Sequence, residues 1–117
     1  MTQYNRKQTP SYTTIGTEEA KRMIDAGVHV VDVRQPDEWN SGHIEQAELA
    51  TINDPDSFKK TLQDLNLQPD EEVIFVCAGG RRSAIASEIA SHTGMHKVYN
   101  LADGMSGWTN RNYPVKR

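Results

Sequence analysis

The stretch EVIFVCAGGRRSAIASEIASHTG, residues 72–94, runs from a short apolar segment through a loop into a helical pattern. EVIFV, 72–76, is rich in β-branched and aromatic residues and predicts a buried strand. Beyond the loop, apolar side chains recur at helical spacing, at Ile85, Ala86, Ile89 and Ala90. They predict a helix that opens near Ser83, packs closely on a sheet and ends at Gly94.

The same alternation of strand and helix extends in both directions from this stretch. Further strands are predicted at 28–33 and 97–101, with a short one at 47–52. Helices are predicted from a Thr17 cap to Gly27, from Asp54 to the residues before Pro69, and weakly over 103–110. VHVVDV, 28–33, lacks clean alternation, as expected for a parallel strand covered on both faces. The pattern predicts an α/β fold with an open, mainly parallel β-sheet flanked by helices on both faces.

Length and charge limit the domain organisation and the partners. The chain has 117 residues, which fits one domain over 12–117 preceded by a polar, flexible leader over 1–11. A net charge of −3, spread along the chain, suggests neither a nucleic-acid partner nor a membrane surface. No apolar run is long enough for a membrane span or a secretory signal, so the expected location is the cytoplasm.

The lone cysteine, Cys77, directly follows the predicted strand 72–76. In open α/β sheets, ligands bind in the crevice at the carboxyl ends of the strands. Gly79 and Gly80 allow a tight turn with inward N–H groups, and the helix start adds free donors. With Arg81 and Arg82 nearby, such a loop is a cradle for an anion and favours a reactive thiolate.

A less specific interpretation is also open for these residues. A cysteine at the end of a buried strand is often an inert small hydrophobic residue, and Arg81 and Arg82 could be solvated residues of a helix start. Against this, arginine at a helix N-terminus is opposed by the helix dipole unless an anion compensates.

A single cysteine excludes an internal disulfide, so any partner thiol belongs to another molecule. His29, His92 and His96 show no ligand-like spacing, and neither a metal nor a cofactor is expected.

Three motifs in order resemble the rhodanese-like family in its single-domain form, over about residues 12–115. The loop from Cys77 through Ala78, Gly79, Gly80, Arg81 and Arg82 to Ser83 is similar to the family's active-site pattern Cys-x-x-Gly-x-Arg-Ser. Residues 31–39 and 42–44 resemble its upstream signature, and residues 101–108 and 114–115 its downstream one.

The resemblance implies a sulfurtransferase of sulfur metabolism that works through a persulfide on Cys77. Donors would be thiosulfate, similar small sulfur anions or persulfides, and acceptors would be thiols, cyanide or a cysteine of a partner protein. The N–H groups from Ala78 to Ser83 would stabilise the outer sulfur, with Arg82 closing the loop and Arg81 attracting the donor at the rim. Asp32 and Arg34 would support the loop, as an ion pair beneath it, while His43 would be structural.

Three other functions are compared with this one. A sulfur-carrier or interaction module fed by a partner protein would use the same cysteine, so the sequence hardly separates it from the enzyme. Cysteine-dependent phosphatases have one residue more between cysteine and arginine than the four that separate Cys77 from Arg82, and no general acid is evident here. A dinucleotide-binding domain is weaker still, because no Gly-x-Gly-x-x-Gly motif opens a helix.

Overall fold

The computed structural model describes residues 11–117. Strands and helices alternate along these residues. The strands are β1 (Thr13–Ile15), β2 (His29–Asp32), β3 (Ala47–Leu49), β4 (Glu72–Val76) and β5 (Lys97–Leu101). The helices are α1 (Thr17–Asp25), α2 (Pro36–Ser41), α3 (Pro55–Leu65), α4 (Arg81–His92) and α5 (Gly104–Asn110). The leader predicted over 1–11 lies, apart from Ser11, outside the described residues.

The strands form one sheet in the order β1-β5-β4-β2-β3, and every neighbouring pair is parallel. This confirms the predicted α/β fold with a parallel sheet. The carboxyl ends of β2 and β4 lie side by side, with Asp32 in register with Val76. The segments that follow these two strands therefore meet at one edge of the sheet.

Each face of the sheet is covered by its own apolar cluster because successive side chains of a strand point to opposite faces. Val31 and Phe75 pack with α3 and α4, whereas Val30 and Ile74 pack with α1 and α5. The helices thus lie on both faces, as predicted. No helix of residues 11–117 has the length and apolar character needed to cross a membrane.

Several helix ends differ from the sequence-based expectation. Gly16, not Thr17, is the N-cap of α1, and Thr17 is buried as its first residue. Asp54 caps α3 as predicted, through a 2.9 Å hydrogen bond from the Ser57 N–H. That helix ends before Pro69, because Asn66 adopts a left-handed conformation with φ 58°.

Helix α4 begins two residues earlier than predicted, and its buried face is more polar. It starts at Arg81 because Gly80, with φ 103°, turns the chain directly into the helix. Ile85, predicted to lie in the core stripe, is 48% exposed. The face toward the sheet consists of small residues, Ser83, Ala86, Ser87, Ala90 and Ser91. Small side chains let the helix backbone approach the sheet closely.

Candidate active site

Cys77 lies at the carboxyl edge of the sheet, one residue beyond β4, and is only 1% exposed. The next three residues turn the chain so that α4 starts at Arg81. The thiol is therefore placed at the N-terminal end of that helix, where free N–H groups and the helix dipole favour negative charge.

Two hydrogen bonds converge on the sulfur of Cys77. The Gly80 N–H donates to Sγ at 3.1 Å, and the Ser83 hydroxyl lies 3.3 Å from the same atom. Burial by itself raises the pKa of the Cys77 thiol. Hydrogen bonds from the Ser83 hydroxyl and from the N–H groups of Ser83, Gly80 and Gly79 outweigh burial, so the pKa is lowered. The site therefore stabilises the nucleophilic thiolate.

The Ser83 hydroxyl has a second contact that the sequence did not point to. Its oxygen lies 2.6 Å from Oδ1 of Asn100, a buried residue of β5. A hydroxyl has one hydrogen, so Ser83 donates to the sulfur when the Asn100 amide is turned to donate its N–H to the Ser83 oxygen, an arrangement that the ionised sulfur favours. Asn100 is 17 residues from Ser83 in the chain, and the pairing of β4 with β5 brings it close to the thiol.

Replacing Ser83 by alanine should raise the pKa of Cys77 and slow its reactions below that pKa. The variant loses one donor to a buried anion, for which we expect about a tenfold slower alkylation by iodoacetamide near pH 6. The rates of variant and wild type should converge in alkaline solution, where both thiols are ionised.

Ser87→Ala is the matched control for this measurement. Ser87 is also fully buried on α4, but its hydroxyl donates to the Ser83 carbonyl at 2.7 Å. Its alkylation profile should follow that of wild type. Identical profiles for Ser83→Ala and wild type would show that the hydroxyl does not stabilise the thiolate.

The two loop glycines, which were predicted to allow the tight turn, differ in how strictly the turn requires them. Gly80 has φ 103°, and a Cβ placed on it would overlap the carbonyl oxygen of Ala102. Gly79 does not have a positive φ, and a Cβ there would meet no atom within 4 Å. The turn therefore requires glycine only at position 80.

The start of α5 holds the loop from the other side. The Met105 N–H donates to the Cys77 carbonyl at 2.8 Å, and the Ser106 N–H donates to the Ala78 carbonyl at 3.1 Å. Gly104 is required at this contact, because a Cβ on it would overlap the Cys77 carbonyl oxygen and lie 2.6 Å from that of Ala78. The loop carbonyls are thereby turned toward α5, which leaves the loop N–H groups for the sulfur.

Arg82 binds Glu38 of α2 with both terminal nitrogens, at 2.7 and 3.0 Å. Its side chain is therefore held by the protein, which fits the predicted loop-closing role and not direct contact with a substrate. Glu38, which the sequence did not single out, lies 44 residues earlier in the chain. Arg81, in contrast, is exposed and forms no salt bridge within residues 11–117, so it remains available to an anion at the rim.

The Glu38–Arg82 pair should make the fold sensitive to acid. The hydrogen bond from Arg82 lowers the pKa of Glu38 from its ordinary value of 4.5 to about 2. A carboxyl with a depressed folded-state pKa stabilises the fold fully above pH 4.5, and this contribution disappears as the pH falls toward 2. Because both side chains are about one third exposed, we expect Glu38→Gln to lower the free energy of unfolding by only about 1 kcal/mol at pH 7.

Urea unfolding at a series of pH values tests this prediction. The difference between wild type and Glu38→Gln should shrink between pH 4.5 and pH 2. Glu18→Gln serves as the control, since Glu18 pairs with Arg111 on the exposed surface at 3.3 Å. If Glu38→Gln and Glu18→Gln lower the free energy of unfolding by the same small amount at every pH, the Glu38–Arg82 pair does not stabilise the fold.

Asp32 and Arg34 form a buried ion pair next to the loop. The Arg34 Nη2 donates to Asp32 Oδ2 at 2.8 Å, and Nε contacts both carboxylate oxygens. The same Nη2 donates to the Gly42 carbonyl at 2.8 Å. Asp32 is in register with Val76, which precedes Cys77. The predicted ion pair is present, and it ties β2 to the segment after α2 beside the loop.

The histidines play no part at the thiol. His43 is buried, contacts the Trp39 carbonyl at 2.9 Å through Nδ1 and stacks on the Trp39 ring, as expected for a structural residue. His29 lies between Glu48 and Glu71, at 3.1 Å from each. Within residues 11–117, no group of three or more His, Cys, Asp or Glu side chains is arranged to hold a metal ion.

Comparison with known proteins identifies the family. The sequence pattern of the rhodanese-like domain matches residues 16–111, which include the whole site described above. The chain belongs to the rhodanese-like domain family. Its fold agrees with this assignment: a rhodanese-related protein of Thermoplasma volcanium superposes with a TM-score of 0.76 over 90% of this chain and 98% of that one, at 28% identity.

Relatives within the rhodanese-like family carry different functional names. Thiosulfate sulfurtransferase 18 of Arabidopsis thaliana is 28% identical, with 87% of this chain and 82% of that protein covered. The Bacillus subtilis protein named "Putative sulfur carrier protein YrkF" is 26% identical over 93% of this chain and 57% of its own length. These two relatives are thus named as a transferase and as a carrier.

Proposed function

We propose that this protein is a sulfurtransferase that carries sulfur as a persulfide on Cys77, with thiosulfate or a persulfide as donor. The observation that carries the proposal is the pair of donors on Sγ, the Gly80 N–H at 3.1 Å and the Ser83 hydroxyl at 3.3 Å. They stabilise an anionic sulfur inside a buried loop. The membership of the rhodanese-like family and the sulfurtransferase among its relatives support the same function.

In the loading step, the Cys77 thiolate attacks the outer sulfur of thiosulfate. A new S–S bond forms to Cys77, the S–S bond of thiosulfate breaks, and sulfite leaves with the bonding electron pair. The negative charge now lies on the outer sulfur of the persulfide, within reach of the N–H groups at the start of α4. Arg81, exposed at the first position of α4, is suited to attract the donor anion to the rim.

In the transfer step, a thiol or cyanide takes the outer sulfur and returns Cys77 to the thiolate. No second cysteine exists in the chain to displace the sulfur by forming an internal disulfide, so the acceptor comes from outside. A cytoplasmic location belongs to the same proposal, because a reducing compartment preserves a lone reactive thiol between cycles.

A carrier role is the second candidate, favoured by the relative named as a sulfur carrier. In this role Cys77 would receive sulfur from a partner protein and deliver it to another, with little turnover on small molecules. The two roles share the persulfide and differ in the donor that loads it.

The decisive experiment measures the intact mass of the reduced protein before and after incubation with thiosulfate. We expect a gain of one sulfur atom that cyanide removes, and no gain in Cys77→Ser. The Ser83→Ala variant provides a graded control, with slower loading but the same final mass.

Each outcome separates the candidates. An adduct with thiosulfate supports the enzyme, whereas loading only by a persulfidated partner protein supports the carrier. A protein that gains no sulfur from thiosulfate, from a small persulfide or from a persulfidated protein would refute both.

A further inference from the structure

A chain of three buried polar groups leads from the sheet to the thiol. Asn100 of β5 is 4% exposed, and its Oδ1 lies 2.6 Å from Oγ of Ser83, which is fully buried. The Ser83 Oγ in turn lies 3.3 Å from Sγ of Cys77. Burying a polar side chain is unfavourable unless its groups form hydrogen bonds. The contact with Ser83 is therefore what stabilises an amide at this buried position of the strand.

The amide of Asn100 can present either of its ends to Ser83. Among residues 11–117, Ser83 is the one hydrogen-bond partner of the Asn100 side chain. An amide has an accepting oxygen and a donating NH2 group, which exchange places when the amide plane rotates by half a turn. Because no second partner within the described residues holds the far end of the amide, this rotation breaks no other hydrogen bond there. Asn100 is thus able to accept from the Ser83 hydroxyl or to donate to it.

The direction of this hydrogen bond decides where the hydroxyl hydrogen of Ser83 points. When Oδ1 of Asn100 accepts, the hydrogen lies between the two oxygens, and a lone pair of the hydroxyl faces the sulfur. When the NH2 group donates, the hydrogen is free to point at Sγ. A negatively charged sulfur repels a lone pair and attracts an O–H donor. The first arrangement therefore suits an uncharged Sγ, and the second suits the thiolate.

The charge on Sγ changes during the reaction proposed above. In the unloaded protein Sγ carries the thiolate charge, whereas in the persulfide the charge lies on the outer sulfur, about 2 Å away. The Gly80 N–H, 3.1 Å from Sγ, is fixed by the backbone and cannot reverse its direction. The Ser83 hydroxyl is the donor whose hydrogen can turn. Its partner must then donate in one state and accept in the other, which an amide does and a carboxylate does not.

The charged side chains around the loop are paired or exposed. They are the ion pairs Arg82–Glu38 and Arg34–Asp32, the exposed Arg81 at the start of α4, and the exposed Asp103 before α5. Within residues 11–117, none of them forms a hydrogen bond with the Ser83 hydroxyl, whose contacts are with Asn100 and Sγ. Asn100 itself is uncharged. An effect of this residue on the thiol must therefore act through Ser83.

We propose that Asn100 is a positioning residue that reverses its hydrogen bond with Ser83 whenever the charge on Sγ of Cys77 changes. Beside the thiolate, Nδ2 of Asn100 donates to Ser83, and the hydroxyl donates to Sγ. Beside the persulfide, the hydroxyl turns and donates to Oδ1. No covalent bond forms or breaks in this rearrangement, and each hydrogen stays on its own atom. The inference rests on the sulfurtransferase function proposed above, since sulfur loading is what removes the charge from Sγ.

The first test follows the side-chain amide NMR signals of Asn100 in the reduced protein, where no sulfur donor is needed. We expect these signals to change with pH at the same midpoint as the ultraviolet absorbance of the Cys77 thiolate. In Ser83→Ala, which keeps the thiol but lacks the hydroxyl, the change should be at least about threefold smaller. Asn66, at the end of α3, is the internal control, and its signals should not follow the ionisation of the thiol.

Sulfur loading is the second step of the test. In loaded protein the Asn100 signals should move toward the position that they have beside the uncharged thiol. Signals that do not move on loading, or an equal pH-dependent change in wild type and Ser83→Ala, would overturn the proposal, because Asn100 would then respond to the charge alone or not at all. Failure to load any sulfur would instead refute the proposed function, and the pH titration would still decide whether the hydrogen bond reverses.

Two substitutions add a kinetic measurement. Asn100→Asp has an acceptor at both ends and holds the Ser83 hydrogen away from Sγ, so alkylation by iodoacetamide below the pKa of Cys77 should slow about tenfold. Asn100→Leu removes the N–H donor without adding charge and should slow alkylation about threefold. In the Ser83→Ala background, Asn100→Leu should have no further effect. The same slowing by Asn100→Leu in both backgrounds would show that Asn100 does not act through Ser83.

Discussion

Replacing Gly80 by alanine is expected to lower the free energy of unfolding by about 3 kcal/mol and to slow persulfide loading at least about a hundredfold. The new Cβ would overlap the Ala102 carbonyl oxygen, and φ 103° is unfavourable for any residue but glycine. The loop can relieve the overlap only by moving away from Ala102. That movement withdraws the Gly80 N–H from Sγ, where it now donates at 3.1 Å.

Gly79→Ala provides the matched control one residue earlier. The substitution is the same, but position 79 has open space and no positive φ. We expect a free energy of unfolding within about 0.5 kcal/mol of wild type and loading within about threefold. Chemical denaturation and the rate of mass gain with thiosulfate measure both variants. Equal losses in the two variants would mean that the backbone conformation of Gly80 does not shape the loop.

Arg34→Met should destabilise the fold at least as much as Gly80→Ala, because it leaves a buried charge without a partner. Asp32 has no exposed surface, and Arg34 supplies its ion pair at 2.8 Å. Removing one partner of a buried pair leaves the other charge unpaired in a poorly solvated environment, which lowers the free energy of unfolding by about 3 to 5 kcal/mol. The measurement is the free energy of unfolding at neutral pH.

Two comparisons make this prediction specific. Arg111→Met removes an arginine whose partner, Glu18, is exposed, and should change stability by no more than about 0.5 kcal/mol. Replacing both members of the buried pair, with Asp32→Leu added to Arg34→Met, should recover much of the loss because no stranded charge remains. A loss in Arg34→Met as small as that in Arg111→Met would contradict the assigned role of the pair.

Local sequence patterns predicted most of the fold. EVIFV and KVYNL form β4 and β5 over the predicted residues, because β-branched and aromatic runs bounded by polar residues leave little choice of structure. β1 was not predicted, because a strand of three residues is too short to show the alternation of apolar and polar side chains. Its pairing with β5 depends on contacts between distant parts of the chain.

The site was predictable only where its parts are close in sequence. Residues 77–83 form the loop and the helix start, and the position of Cys77 follows from the order of strand, loop and helix. The partners Glu38 and Asn100 come from α2 and β5. Neither type of residue, taken alone, signals a contact with the loop. The sequence also did not show that glycine is required at position 80. The group that a Cβ on Gly80 would overlap is the backbone carbonyl of Ala102, 22 residues later in the chain.

The contact between α5 and the loop bears on when the thiol becomes active during synthesis. Ribosomes make the chain from its amino end, so Cys77 and α4 emerge before the residues that receive the loop carbonyls, Gly104 to Ser106. β5, which brings Asn100 beneath the thiol, also comes later than α4. A nascent chain that stops short of these residues lacks the α5 donors that hold the loop carbonyls. We therefore expect its thiol to reach full reactivity only after residues 104–106 have been added.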